Sequence, residues 1–193
     1  RGRRNILHYL FPWVPTPREL GEDMNGGIAD PAACMVDFLG QLPDVHLPGL
    51  DYSLDFGVAQ IAFIDTNHLG AQEAALAQET FSRGDGWKVL FGNHVLKTYH
   101  DKEWENYVQP WLQQYNIKPQ LYANGHAHVL QLGVYEGITA VTSGTGAKIR
   151  ERKACPPDCG EGQRWGVSKA GYAVLTLSPT QLQNPSLLHS RVM

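Results

Sequence analysis

The stretch Leu121–Gln131, "LYANGHAHVLQ", decides how the chain is read. Its first residues are apolar and β-prone, its middle is a glycine turn, and two histidines follow one residue apart. An extended segment running into such a turn holds imidazoles on a stiff scaffold, which is what a metal site requires. In a turn, His126 and His128 diverge enough to face two different metals. Neutral imidazole is the commonest nitrogen ligand for Zn, Fe and Mn-type ions.

Working outward, "VLFGNH" repeats the arrangement: a short apolar run, a glycine, then His94. Two strand ends that each carry histidine place their side chains in one crevice if the strands are parallel neighbours. The glycines before the histidines are expected to let the backbone turn tightly, with positive φ. His8, His46, His68 and His189 lack this context and read as solvated or core-bonded imidazoles.

The flanking segments give the architecture. "YSLDFG" and "VAQIAFIDTN" read as adjacent strands joined near Gly57, and "AQEAALAQETFSR" as a helix of good helix formers. "WKVLFGN" is a short buried strand. In "DKEWENYVQPWLQQYN", Trp104, Tyr107, Val108, Trp111, Leu112 and Tyr115 fall on one helical stripe, with Pro110 marking a kink or a boundary. "LQLGVYEGITAVTSGTG" reads as strand, turn, strand. Residues 147–170 read as a Gly/Pro/charge-rich loop, and "GYAVLTLSP" as a final strand. Strands alternating with helices, then strands alone, predict an α/β fold. Residues 1–50 are loop-rich, with the character of an insertion and a short helix at "AACMVDFLGQL"; residues 51–193 form the domain proper.

Composition narrows the classes. With 193 residues, 42% hydrophobic and 18% charged, the chain can build a core. A net charge of -3 argues against nucleic acid as a partner. No apolar run approaches the roughly 18 residues of a membrane span. The start, "RGRRNILHYLFPWVP", is basic then apolar, but Pro12 and Pro15 break it and no Met precedes it. It reads as an internal start rather than a signal peptide. Cys155 and Cys159 in "ACPPDCG" either close a small disulfide loop or remain thiols, with Cys34 single. A disulfide would mean an oxidising compartment, so the expected location is secreted or otherwise extracytoplasmic.

"VLFGNH", the helix after it, "LYANGHAHVLQ" and "TSGTG" together resemble the C-terminal half of the calcineurin-like metallophosphoesterases, in the purple acid phosphatase branch of tartrate-resistant type. The likeness covers Tyr52 to Gly146, with "GYAVLTL" as a last strand. It implies the C-terminal half of a four-layer α/β/β/α sandwich. It also implies a dinuclear phosphoesterase that hydrolyses phosphomonoesters, with two ions among Fe, Zn and Mn. His94 and His126 would bind the second metal and His128 the first, while His100 would lie near the substrate. In that chemistry two cations lower the pKa of a bound water and stabilise the phosphoryl charge.

Three histidines alone lack the carboxylates such a site needs. The missing ligands are therefore expected from outside the chain, either from the N-terminal half of the same domain or from a partner chain. A compressed register offers an alternative: Asp65 as the first motif, Asp85 as the bridging carboxylate and Asn93 as the third ligand. A further possibility is a catalytically inactive subunit with a structural or binding role in a larger assembly. The weakest is a mononuclear histidine-rich module.

Overall fold

The computed structural model describes residues 39–42, 48–96, 107–146, 148–149, 162–179 and 191–192. The chain divides into two units, Arg1–Leu50 and Asp51–Met193. In the first, the described residues include a turn in which Leu42 N–H donates to the Leu39 carbonyl at 3.1 Å. His100, Cys34, Cys155 and Cys159, and most of the expected helix at 32–42, lie outside the described residues.

The second unit is built on a mixed seven-stranded sheet. Its elements are β1 (Tyr52–Asp55), β2 (Ala59–Phe63), α1 (Ala71–Ser82), β3 (Trp87–Phe91), α2 (Val108–Gln114), β4 (Leu121–Asn124), β5 (Leu130–Tyr135), β6 (Ile138–Ser143) and β7 (Gln163–Val167). The strand order is β1-β2-β3-β4-β6-β5-β7. β2, β3, β4 and β6 run parallel, and β1, β5 and β7 pair antiparallel with their neighbours. A separate antiparallel pair joins β8 (Ala173–Val174) to β9 (Arg191–Val192).

Each connection has a local cause. The β1–β2 turn closes where Asp55 Oδ1 accepts the Gly57 N–H at 2.7 Å, with Gly57 at φ +73°. α1 starts after Gly70, whose N–H is taken by the Glu73 carboxylate at 2.8 Å. Pro110 falls in the first turn of α2, where its missing N–H would have had no helical partner. It marks a boundary rather than a kink. The β5–β6 hairpin turns at Glu136 (φ 50°) and Gly137 (φ 81°), the pair of positive φ values of a type I′ turn.

The two faces of the sheet have different cover. On one side, Ala74, Ala77 and Phe81 of α1 and Val108, Trp111 and Leu112 of α2 pack on Ala62, Leu90, Tyr122, Tyr135 and Ala140. The Trp111 indole N–H also donates to the Gly70 carbonyl at 2.9 Å, tying α2 to the start of α1. On the other side, Ala59, Trp87, Val89, Leu121 and Val141 lie under Ala173, Leu175 and Leu177. The Trp87 indole donates to the Ser178 carbonyl at 3.0 Å, fixing that segment in place.

Two sequence expectations change here. Residues 163–167, read as loop, form edge strand β7 against β5. Their apolar signal is only Trp165 and Val167 around Gly166, so backbone pairing rather than side-chain pattern makes the strand. The expected final strand pairs only at Ala173–Val174, and Ala173, Leu175 and Leu177 cover the sheet face instead of adding to its edge.

Candidate functional site

The four parallel strands bring four loops to one edge of the sheet. Asp65 and Thr66 follow β2, Asn93 and His94 follow β3, Gly125 to His128 follow β4, and Gly144 and Thr145 follow β6. This is where open parallel sheets place ligand crevices. Backbone hydrogen bonds continue the sheet into the loops. Ile64 N–H donates to Phe91 O (3.0 Å), Gly92 N–H to Ala123 O (3.1 Å), Gly125 N–H to Asn93 O (3.3 Å) and Gly144 N–H to Val129 O (3.1 Å).

His94 and His126 meet at this edge, their ring centroids 4.9 Å apart. Tyr107, at the start of α2, stacks on His94 at 5.9 Å. The Asn93 amide lies 3.3 Å from His126 Nδ1. Thr66 is the hub under His94: its Oγ1 is 3.0 Å from the His94 N–H, 3.3 Å from the Asn93 N–H and 2.7 Å from His94 Nδ1. The Tyr122 hydroxyl donates to the His94 carbonyl. Burial raises the Tyr122 phenol far above its ordinary range, so it remains a donor. Thr66 and Tyr122 are buried, as is His94.

The turn "GHAH" is held from its middle. Ala127 is buried against Val95 and Val129, while the histidines on either side stay half-buried. Ala127 N–H closes a tight turn onto the Gly125 carbonyl at 2.6 Å. Positive φ falls on the histidines, 45° at His126 and 52° at His128, and not on Gly92 or Gly125. The left-handed region costs an L residue about 1–2 kcal/mol, so this turn carries strain of the kind that collects at functional sites. Gly92 is required for close approach instead. A Cβ there would lie 2.5 Å from Thr66 Cγ2 and 2.7 Å from the Tyr122 hydroxyl. Gly144 similarly admits the His128 backbone, whose nitrogen would be 2.8 Å from an added Cβ.

The carboxylates at this edge are engaged by their own neighbours. Asp65 accepts from Asn67 N–H (3.0 Å) and Asn67 Nδ2 (2.6 Å), and its other oxygen lies 2.9 Å from His68 Nδ1. Burial pushes its pKa up, but the Asn67 and His68 hydrogen bonds outweigh this and hold the carboxyl below its ordinary value. Asp51 accepts the Asp65 N–H at 2.6 Å. Burial, with Glu73 and Asp65 nearby, raises the Asp51 carboxyl against the effect of that bond. Asp85 lies between α1 and β3, at the end of β3 remote from His94. The compressed register therefore separates its bridging carboxylate from Asn93 by the length of the strand.

Among the described residues, no group of three or more His, Cys, Asp or Glu side chains is placed to hold a metal ion. The histidine turn supplies nitrogens, while the carboxylate at this edge, Asp65, is engaged by Asn67 and His68, so the described residues do not by themselves fit a dinuclear pair. Thr66 was not singled out by the motifs; its signal is position, since it follows a parallel strand that ends beside the next.

No protein-family model matches the chain, and no curated protein matches it. A solved structure, "GAP50 the anchor in the inner membrane complex of Plasmodium", is similar over 67% of this chain and 47% of that one. The TM-score is 0.48 and the identity 15%; the chain thus spans about half the length of that structure. No helix among the described residues is long and apolar enough to cross a membrane.

Proposed function

We propose that the chain is the C-terminal half of a four-layer α/β/β/α metallophosphoesterase sandwich, acting in phosphomonoester hydrolysis as the histidine-bearing side of a dinuclear site. His126 and His128 are the nitrogen ligands in this reading. The observation that carries the reading is the strained His126-Ala127-His128 turn beside His94, at the C-terminal edge of the parallel strands. The metals are Fe, Zn or Mn, and the carboxylate ligands come from the N-terminal half of the domain or from a partner chain.

The sheet face opposite the helices supports the missing layers. Tyr52, Phe63 and Phe91 stack across β1, β2 and β3 with centroids 4.5 and 4.8 Å apart, and all three remain half-buried. Leu54, on the same face of β1, is 38% exposed. An apolar surface of this kind marks an interaction face, and a second sheet is the natural cover. A secreted or other extracytoplasmic location belongs to the same reading.

A second reading is a catalytically inactive subunit with a structural or binding role. The engagement of Asp65 by Asn67 and His68 favours it, because the carboxylate nearest the histidine edge is committed locally. Hydrolysis of p-nitrophenyl phosphate by the intact native protein separates the two. Activity lost in His126→Ala supports the phosphatase; no activity with any of the three metals leaves the inactive subunit.

A further inference from the structure

The Thr66 hydroxyl has two lone pairs and one proton. The Asn93 and His94 backbone N–H groups, at 3.3 and 3.0 Å, both point at Thr66 Oγ1 and fill its accepting capacity. Its third contact, His94 Nδ1 at 2.7 Å, must therefore receive the hydroxyl proton. A neutral His94 whose Nδ1 accepts carries its own proton on Nε2. Metal-binding histidines show the reverse arrangement, with the second nitrogen donating outward so that the ligating one offers a lone pair.

From this we infer that Thr66 is a positioning residue that fixes His94 as an Nε2–H donor, directed at an acceptor and not at a metal ion. Tyr107 and His126 occupy the ring's surroundings, and the Tyr122 hydroxyl holds the His94 carbonyl, so the ring is not free to invert the pattern. His126 differs. Its neighbour at Nδ1 is the Asn93 amide, which serves as donor or acceptor according to which way the amide is turned. The two histidines of one contact pair thus have separate chemistry.

Nitrogen-15 NMR of the imidazoles tests the claim without any activity measurement. In mildly alkaline solution His94 is expected to show an unprotonated Nδ1 and a protonated Nε2. Thr66→Ser keeps that signature and Thr66→Val loses it. Adding Zn²⁺ leaves the Nε2 proton of His94 in place. A protonated Nδ1 in the wild-type protein, or loss of the Nε2 proton on adding Zn²⁺, overturns the proposal.

Discussion

Replacing Gly92 by Ala tests whether the histidine edge is built by close approach. The backbone of Gly92 is not in the left-handed region, so alanine meets no conformational penalty there. The added methyl instead meets Thr66 Cγ2 at 2.5 Å and the Tyr122 hydroxyl at 2.7 Å, far inside ordinary contact. Neither neighbour yields easily: Thr66 is β-branched and 2% exposed, and Tyr122 is 0% exposed. Overpacking of this kind costs about 1–3 kcal/mol. Displacing the Tyr122 hydroxyl from the His94 carbonyl adds about 1 kcal/mol. The total of about 2–4 kcal/mol lowers Tm by about 5–15 °C in a domain of this size. Gly125→Ala is the matched control, since its nearest neighbour would be Asn93 Oδ1 at 3.7 Å and its cost should stay within about 0.5 kcal/mol. Urea unfolding of the two variants, followed by tryptophan fluorescence, gives both values. Equal stabilities, or a loss below about 1 kcal/mol for Gly92→Ala, would refute the packing around Thr66 and Tyr122.

Three further outcomes follow from other sites. Asn124 is 7% exposed, and neither amide atom has a hydrogen-bond partner among the described residues. Asn124→Val should therefore gain about 1–2 kcal/mol in urea unfolding, whereas a loss would mean that the amide is bonded in the native protein. The Asp51 carboxyl is raised by burial, so the fold holds its proton longer than the unfolded chain does. Stability declines as pH rises from 3.8 through the folded pKa, and Asp51→Asn, which keeps an acceptor for the Asp65 N–H, should remove that decline. Asp65 acts in the opposite direction. Its lowered pKa gives stability that is present above 3.8 and lost as pH falls through the folded value, so Asp65→Asn should be destabilising near pH 7 and closer to neutral in strong acid. Thermal melts across pH check both carboxylates.

The regular elements were legible because local signals and tertiary context agree. Helix formers over 71–82 made α1, and apolar runs bounded by turn residues made β1 to β6. β7 was not legible, because an edge strand needs only backbone partners and its sequence has little alternation. At the site, His94 and His126 could be paired from the repeated strand-turn pattern, since parallel neighbours end at one edge. The positive φ values could not be placed, because local sequence favours glycine for them and the buried Ala127 transfers them to the histidines. Thr66 was invisible as a functional residue, since its role depends on how β2 and β3 align across the sheet.

Metal analysis of the intact native protein bears most directly on the proposed function. Two metal ions per molecule are expected, among Fe, Zn and Mn, reduced in His126→Ala and in His128→Ala but retained in Thr66→Ser. A native protein that holds no such metal, with His126 and His128 present and the protein folded, would contradict it.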